Sequence, residues 1–250
     1  MAIRSVVFDL FDTLVDLRAE NIPAEQVGAH KLPASVRALH EEVARVSGTS
    51  FDDFAAALGE GARAFARSHF AEEREVPTDL RFQDLARRLS IADPELPGRL
   101  TAIHMGILRD QVAFLEHHPG VLRDLRRRVK VGLCSNFSHS PTALEVLETG
   151  GFLPHLDGIS ISDAHGLRKP RREIFLDLLE ELGVAPEETL HVGDSLRADV
   201  GGASPCGIRT VWITRRVQDP DAALQAHEGP APDHVVEDLS EIAGLVERLA

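Results

Sequence analysis

Acidic residues follow two short apolar runs of this chain, at positions that suit the binding of a divalent cation. Asp9 ends the run that begins at Ser5, and Asp194 follows the run over residues 189–193. Other polar groups lie at comparable positions: Ser135, Asn136, Lys169 and Asp199. If the runs are strands of an open parallel sheet, these groups meet at its carboxyl-terminal edge, where such sheets bind ligands. Carboxylates held so close repel each other, and Mg²⁺, which prefers oxygen ligands, would let them stay ionised.

Short β-branched apolar runs alternate with amphipathic segments along most of the chain. The runs that predict buried strands are residues 5–9, 129–134, 158–161, 189–193, 209–213 and, more weakly, 234–236. Between them, apolar residues recur at helical spacing, for example from Ile174 to Leu182 before a terminating Gly183. The last helix is predicted to open at Asp238, which has the spacing of a capping box with Glu241. This alternation predicts an α/β fold in which helices cover both faces of a parallel sheet.

Residues from about 17 to 115 differ and predict a helical insertion without a convincing strand. Four apolar stripes at helical spacing begin near residues 36, 51, 82 and 100. The second stripe predicts a long helix with a bend near Gly59 and Gly61. Four helices of this kind can bury their stripes against one another. The α/β pattern resumes near His118.

The composition of the 250-residue chain restricts the classes of function. Acidic residues outnumber basic ones 40 to 27, and the formal net charge of −13 argues against nucleic-acid or membrane partners, which need clustered Lys and Arg. No apolar run approaches the roughly 20 residues of a membrane span, and the N-terminus does not resemble a signal peptide. Two cysteines form neither a disulfide framework nor a metal-ligand spacing. We therefore expect a cytoplasmic protein that acts on a small molecule, as a monomer or homodimer.

Four ordered motifs resemble those of the haloacid dehalogenase-like hydrolase superfamily, in the branch with a helical cap inserted after the first motif. The motifs are Asp9 with Thr13-Leu14, then Ser135, then Lys169 in Arg168-Lys169-Pro170, and finally Gly193-Asp194-Ser195 with Asp199. The resemblance implies a three-layer, Rossmann-like α/β core formed by residues 1–16 and 117–250. Residues 17–116 would form a helical-bundle cap domain that closes over the substrate and excludes water.

The resemblance also implies catalytic roles. Asp9 is the expected nucleophile, and water would release the covalent intermediate that it forms. Ser135 and backbone N–H groups after Asp9 would bind the oxygens of the substrate. Lys169 would neutralise charge on nucleophile and substrate, and Thr13 would order the loop. The expected reaction is the hydrolysis of a small phosphate ester.

A magnesium site and a substrate site are implied in the same way. The metal would be bound by Asp9, the main-chain carbonyl of Phe11 and Asp194. Asp199 is expected to orient these ligands without binding the metal itself. The substrate would contact Phe11, Ser135 and Asn136.

One residue departs from the pattern of the superfamily's phosphatases, which have a leaving-group acid two residues after the nucleophile. That position is Phe11, which cannot transfer a proton, and such proton transfer is typically worth about 10²–10⁴-fold in rate. Three interpretations stay open: a phosphohydrolase that uses a good leaving group or another acid, a metal-independent 2-haloacid dehalogenase, and a protein that binds but scarcely turns over. Dehalogenases of the superfamily have Tyr at this position and lack the acid at 194. The presence of Asp194 and Asp199 favours the phosphohydrolase.

Several other polar residues have simpler interpretations than catalysis. Asp12 is expected to stabilise a turn rather than to act as the missing acid. His117 and His118 are expected in a linker between cap and core, and His139 at a helix start. Asp163 is expected either near the motif lysine or as a loop residue.

Overall fold

The structure, a computed structural model, describes residues 2–22, 24–27 and 30–249. The chain divides into two units, one of Met1–Asp16 with Ala113–Ala250 and one of Leu17–Val112. Within the described ranges, no helix has both the length and the apolarity needed to cross a membrane.

The secondary structure of the described residues alternates strands and helices in the first unit and is mostly helical in the second. The strands are β1 (Ser5–Phe8), β2 (Val15–Leu17), β3 (Ala24–Val27), β4 (His30–Pro33), β5 (Val112–Phe114), β6 (Lys130–Ser135), β7 (Gly158–Ile161), β8 (Thr189–Gly193), β9 (Arg209–Ile213) and β10 (His234–Val236). The helices are α1 (Ala34–Ser47), α2 (Phe51–Ser68), α3 (Thr78–Arg88), α4 (Leu96–Arg109), α5 (His118–Leu125), α6 (Ser140–Thr149), α7 (Ser162–His165), α8 (Arg172–Leu182), α9 (Gly201–Ala203), α10 (Pro220–Ala226) and α11 (Ser240–Arg248).

The first unit is built on a parallel sheet. Among the described residues this sheet has six strands in the order β10-β9-β8-β1-β6-β7. The central strand β1 pairs with both neighbours in register, so that Ser5 lies opposite Lys130 and Thr189. All four residues of β1 are buried, as expected for a parallel strand covered on both faces. The predicted α/β fold is thus confirmed.

Helix α8 packs closely on β6 and β7 because each strand has a glycine beneath it. A Cβ atom on Gly132 would lie 3.0 Å from a Leu182 methyl carbon, and one on Gly158 would lie 3.1 Å from a Leu178 methyl carbon. Burial of each large apolar side chain in this layer contributes about 1.5–3 kcal/mol. The segment that leads into α8 contains Lys169, so this packing helps to position that residue.

The second unit is a bundle of α1–α4 with its own apolar core. The residues that form this core are Leu39, Val43, Phe54, Ala57, Phe82, Leu85, Ala86, Leu96 and Leu100. Helix α2 runs without interruption through Gly59 and Gly61. Gly61 lies where a Cβ atom would come within 3.0 Å of the Asp84 carboxylate on α3, so it permits close approach of two helices.

The prediction that no strand occurs between residues 17 and 115 is wrong. Strands β3 and β4 form an antiparallel pair in which Ala24 lies opposite Pro33 and Val27 opposite His30. Both strands are short and their sequences, AEQV and HKLP, lack the alternation of apolar and polar residues that marks a half-buried strand. Backbone pairing rather than side-chain pattern defines them.

Candidate active site

A fully buried lysine connects two carboxylates and the end of a strand. The Nζ atom of Lys169 donates hydrogen bonds to Asp9 Oδ1, Asp199 Oδ1 and the main-chain oxygen of Cys134, each at 2.7 Å. These bonds use the three donors of the ammonium group. Burial alone would lower the pKa of Lys169, but the charges of Asp199 and Asp9 raise it well above its ordinary value. Lys169 therefore remains a cation inside the unit.

Asn136 holds the main chain of Lys169. Its Oδ1 accepts from the Lys169 backbone N–H at 2.7 Å, and its Nδ2 donates to the Lys169 carbonyl at 2.9 Å. Because Asn136 follows β6, this two-point contact ties the end of that strand to the segment before α8. The side-chain amide thereby positions the lysine, in addition to any contact that it makes with a substrate.

Three carboxylates meet at the edge of the sheet where β1 and β8 end. Oxygen atoms of Asp9, Asp194 and Asp199 lie within 4.8 Å of one another. Asp9 follows β1, and its backbone N–H donates to the carbonyl of Val192 in β8 at 2.9 Å. Asp194 follows β8 directly. The pairing of the two strands thus brings together acids that are distant in the chain.

The carboxylates of Asp199 and Asp194 differ in their hydrogen bonds. Besides the lysine, Asp199 accepts from His191 Nε2 at 2.9 Å and from the Ser195 backbone N–H at 3.0 Å. It lies so close to β8 that a Cβ atom on Gly193 would be 2.2 Å from its Cγ, which only glycine avoids. In the part of the chain that the structure describes, no group donates a hydrogen bond to the Asp194 carboxylate.

The pKa values of the three acids follow from these contacts. Burial raises the pKa of Asp194 to about 8, and the charges of Asp9 and Asp199 add to the effect. Burial also raises the pKa of Asp9, against the opposing charge of Lys169. For Asp199, burial is outweighed by the charge of Lys169 and the hydrogen bond from His191, so its pKa lies well below its usual range. The ammonium group of Lys169 thus pairs with two of the three acids and leaves Asp194 without a paired cation.

This donor set fits a hard divalent cation. Asp9 and Asp194 offer carboxylate oxygens at short range, which are the ligands that Mg²⁺ prefers. A cation between them would remove the repulsion that contributes to the raised pKa of Asp194. Asp199 already accepts three hydrogen bonds, so it is suited to hold Lys169 rather than to bind a metal.

Among the buried hydroxyl groups without a hydrogen-bond partner in the described residues, two belong to motif residues. They are Oγ of Ser135, the last residue of β6, and Oγ1 of Thr13, in the loop after β1. An unpaired buried hydroxyl costs about 1–3 kcal/mol, and exceptions of this kind call for an explanation. The binding of a ligand oxygen provides one.

The position of the expected leaving-group acid is aromatic. The Phe11 ring lies 4.8 Å from that of Phe137, centroid to centroid, at an interplanar angle of 48°. The next residue, Asp12, has a φ of +56°, and its Oδ1 accepts from Arg216 Nε at 3.3 Å. The loop after Asp9 therefore presents an apolar surface and an acid already paired with a cation.

A family model described as haloacid dehalogenase-like hydrolase matches residues 3–207. The chain belongs to the haloacid dehalogenase-like hydrolases. It is 27% identical over 252 residues to the glyceraldehyde 3-phosphate phosphatase of Methanopyrus kandleri, a match that covers 99% of each chain. The superfamily resemblance of the four motifs is confirmed, and the protein is an enzyme that catalyses hydrolysis.

Two solved structures are similar to this hydrolase. The HAD-hydrolase YfnB of Bacillus subtilis, bound to magnesium, has a TM-score of 0.62 at 21% identity and covers 98% of this chain and 99% of its own. The 2-haloacid dehalogenase of Pseudomonas syringae pv. Tomato has a TM-score of 0.74 at 21% identity and covers 99% and 100%. A magnesium-bound hydrolase and a 2-haloacid dehalogenase thus share this fold. The fold therefore does not distinguish a metal-dependent reaction from dehalogenation, and the residues of the site must do so.

Two side chains that support the acids of this hydrolase were not predicted from sequence. His191 lies in β8 and donates to Asp199, and Trp212 in β9 donates its indole N–H to the Asp194 carbonyl at 2.7 Å. The signal for His191 was a polar residue within an otherwise apolar strand, two positions before Gly193. No comparable signal marked Trp212, because its role depends on the neighbouring strand.

The structure also locates the other polar residues that were singled out in the sequence. His139 is the N-terminal cap of α6, as expected. Asp163 accepts from the Ser140 backbone N–H at 2.6 Å, so it also supports the start of α6, while the described partners of Lys169 are other groups. His118 is buried completely, which a simple linker does not require.

Proposed function

We propose that this hydrolase is a Mg²⁺-dependent phosphohydrolase that cleaves small phosphate monoesters through a covalent intermediate on Asp9. One observation carries the proposal: Asp9 is paired with the buried Lys169, and the carboxylate of Asp194 beside it accepts no hydrogen bond from the described residues. The similarity to a glyceraldehyde 3-phosphate phosphatase over 99% of the chain supports phosphate chemistry.

Asp9 supplies the nucleophilic oxygen. Its carboxylate attacks phosphorus while the bond from phosphorus to the leaving oxygen breaks, and water then hydrolyses the acyl phosphate and restores the carboxylate. Lys169 favours the ionised form of Asp9 and offsets the negative charge of the phosphoryl group. The unpaired hydroxyls of Ser135 and Thr13 are the groups that would donate to phosphoryl oxygens.

The magnesium ion would be held by Asp9, Asp194 and the main-chain carbonyl of Phe11. When bound, it would neutralise phosphate charge and orient the phosphoryl group toward the nucleophile. Asp199 acts through Lys169, because its oxygens accept from that lysine, from His191 and from a backbone N–H group. In the absence of the ion the acids repel each other, which accounts for part of the raised pKa of Asp194.

The aromatic side chain of Phe11 determines which leaving groups are tolerated. Phe11 donates no proton, and Asp12 in the same loop is paired with Arg216. Without an acid from this loop, the leaving oxygen departs as an anion or takes its proton from water, from the substrate or from an acid outside the loop. We infer that aryl phosphates and phosphoanhydrides, whose leaving groups are stable anions, are cleaved much faster than alkyl phosphates.

The second candidate is a 2-haloacid dehalogenase, and Phe11 is the observation that favours it. A halide ion leaves without a proton, and the Phe11–Phe137 ring pair would suit an apolar substrate. The same Asp9 would form a carboxylic ester, with no need for a metal ion. Asp194 has no role in that reaction, and for this reason the phosphohydrolase is preferred.

Two assays on the purified 250-residue chain decide between these functions. We expect turnover of p-nitrophenyl phosphate that requires Mg²⁺, stops on addition of a chelator and is lost in Asp9→Asn. Asp12→Asn serves as the matched control, since it removes the neighbouring acid of the same loop. Chloride release from 2-chloropropionate that is insensitive to the chelator would establish the second candidate. Absence of both activities in folded protein would overturn both proposals and leave the non-catalytic interpretation.

Three further predictions stay predictions. Residues 17–116 would act as a cap that selects the small-molecule substrate. The protein would lie in the cytoplasm as a monomer or homodimer. Its formal net charge of −13 argues against nucleic-acid and membrane partners.

A further inference from the structure

A second cluster of metal-ligating groups lies in the first unit, apart from the acids at the ends of β1 and β8. It consists of His117, His118 and Asp238, whose ligand atoms lie within 4.8 Å of one another. The two histidines lie at the start of α5, and Asp238 lies just before α11. Neither the hydrolytic mechanism nor the four motifs use these residues.

The orientation of His118 is unusual for a residue in a purely structural role. Its side chain is completely buried, and Nδ1 lies 2.8 Å from the carbonyl oxygen of Leu14. A carbonyl only accepts, so Nδ1 carries the proton of that hydrogen bond. In a neutral imidazole with the proton on Nδ1, Nε2 presents a bare lone pair.

That lone pair faces an anion. His118 Nε2 lies 3.5 Å from Asp238 Oδ2 and has no hydrogen-bond partner among the described residues. A lone pair and a carboxylate oxygen repel each other unless a cation or a proton lies between them. The charge of Arg215 also acts on His118, but Arg215 is itself paired with Asp16.

The imidazole of His117 completes a set of three possible ligands, in which both histidines lie close to Asp238 Oδ2. His117 Nε2 lies 3.1 Å from Asp238 Oδ2 and 2.9 Å from Oδ1. A tetrahedral ion with ligand bonds of about 2.0–2.1 Å separates its ligand atoms by about 3.3–3.4 Å. The observed separations of 3.1 and 3.5 Å from Oδ2 bracket that value. Because the His117 side chain is half exposed, it can adjust, and solvent can supply a fourth ligand.

The outer contacts also match those of a metal site. Ligating histidines usually donate their second ring N–H to a backbone carbonyl or carboxylate, as His118 does to Leu14. Asp238 Oδ1 accepts from the Ser240 backbone N–H at 2.9 Å, which leaves Oδ2 directed at the histidines. We propose that His117, His118 and Asp238 form a second metal site, which binds a divalent transition-metal ion of the Zn²⁺ type rather than Mg²⁺. Two imidazoles and one carboxylate are the donors that such ions prefer.

Zinc titration of the metal-stripped 250-residue chain tests this proposal. Excess Mg²⁺ is kept present so that the acids at the ends of β1 and β8 are occupied. We expect one zinc ion per chain to bind, with a rise in Tm of roughly 5–10 °C at a hundredfold excess over Kd. The zinc K-edge X-ray absorption spectrum should show imidazole ligands at about 2.0–2.1 Å.

Three variants separate this site from other histidines. His117→Gln and Asp238→Asn should each weaken zinc binding by more than about 100-fold, a greater effect than the loss of an outer contact. His165→Gln is the matched control, because His165 also contacts an acid, Asp177, at 3.0 Å but belongs to no cluster of metal-ligating groups among the described residues. It should leave zinc binding unchanged.

The outcomes are distinct even if one variant folds poorly. His117 lies half exposed, so His117→Gln should keep its fold, which the unliganded Tm verifies. Absence of zinc binding by the wild type, equal binding by His117→Gln, or a spectrum without imidazole would each overturn the proposal. In the first case a proton shared between His118 and Asp238 would be the remaining explanation for their contact.

Discussion

On the helices of the second unit, acids such as Glu42 and Asp84 are paired with neighbouring arginines, whereas at the ends of β1 and β8 the acids outnumber the lysine that pairs with them. Glu42 on α1 accepts from Arg45 at 2.7 Å and from Arg99 at 2.5 Å, and these hydrogen bonds lower its pKa to about 2. At the sheet edge, the carboxylates of three aspartates lie close together, and Lys169 forms ion pairs with two of them, Asp9 and Asp199.

The difference separates a structural use of charge from a functional one. Near the surface, a pair such as Glu42–Arg45 is screened by water and contributes about 0–1 kcal/mol. In the interior, unmatched charge is costly, so it persists where a ligand supplies the missing cation. The raised pKa of Asp194 and the lowered pKa of Glu42 are two signs of this contrast.

The largest effect on stability is expected from Lys169→Met. The substitution keeps the length of the side chain but leaves Asp9 and Asp199 without their shared cation, which should cost about 3–5 kcal/mol in the free energy of unfolding. Urea denaturation measures the change. Lys130→Met, at an exposed position in β6, is the matched control and should change stability little. Equal losses in the two variants would show that the buried ammonium group of Lys169 contributes no more to stability than an exposed one.

A gain of activity is expected from Phe11→Asp. If the new carboxyl protonates the leaving group, turnover of an alkyl phosphate should rise by about 10²-fold, equivalent to about 2.7 kcal/mol in the barrier. The dependence of kcat/KM on leaving-group pKa should become shallower. Phe11→Asn has nearly the same shape but donates no proton of this acidity, so it should show neither change. A similar gain in both variants would mean that the aromatic ring merely obstructs the site.

The pH dependence of the metal-free protein should identify Asp194. A raised pKa in the folded state means that stability is full below about pH 4 and is lost as pH rises toward 8. Asp194→Asn should therefore become more stable than the wild type by more than about 1 kcal/mol at pH 8, and Mg²⁺ should reverse this order. Thermal unfolding with a chelator, from pH 5 to 9, measures the difference.

A matched acid in the second unit should behave differently. Asp84 has a lowered pKa, because hydrogen bonds from Arg88 and Arg87 outweigh its burial. Its contribution is present above its unfolded pKa and is lost only as pH falls below that value. The stability difference between Asp84→Asn and the wild type should therefore stay constant between pH 5 and 8. A trend like that of Asp194→Asn would contradict the assigned cause.

The smallest effect is expected from Glu42→Gln. The amide keeps one acceptor for Arg45 and Arg99, and the pair lies near the surface, so the loss should be less than about 1 kcal/mol. Added salt should reduce the loss further. Chemical denaturation at low and high salt provides the measurement, and a loss comparable to that of Lys169→Met would show that both clusters are structural.

The strands of the sheet were predictable for a local reason. Each is a short apolar run buried on both faces, so its composition alone distinguishes it from the amphipathic helices between. Residues 158–161, 189–193, 209–213 and 234–236 have the predicted bounds, and β6 is displaced by one residue. The β3–β4 pair was missed because its register depends on backbone hydrogen bonds and its side chains follow no alternation.

Fold class and family were predictable from the chain alone, because burial periodicity and four ordered motifs are local properties. The different hydrogen bonding of the two acids, in contrast, follows from contacts between distant parts of the chain. Asp199 is hydrogen-bonded by His191 and Lys169, while Asp194 beside it is not, and nothing in their shared residue type predicts this. The contact of His118 with Asp238 likewise depends on how α5 and α11 pack. Charge, burial and hydrogen bonding belong to neighbours in space, and strand order sets those neighbours.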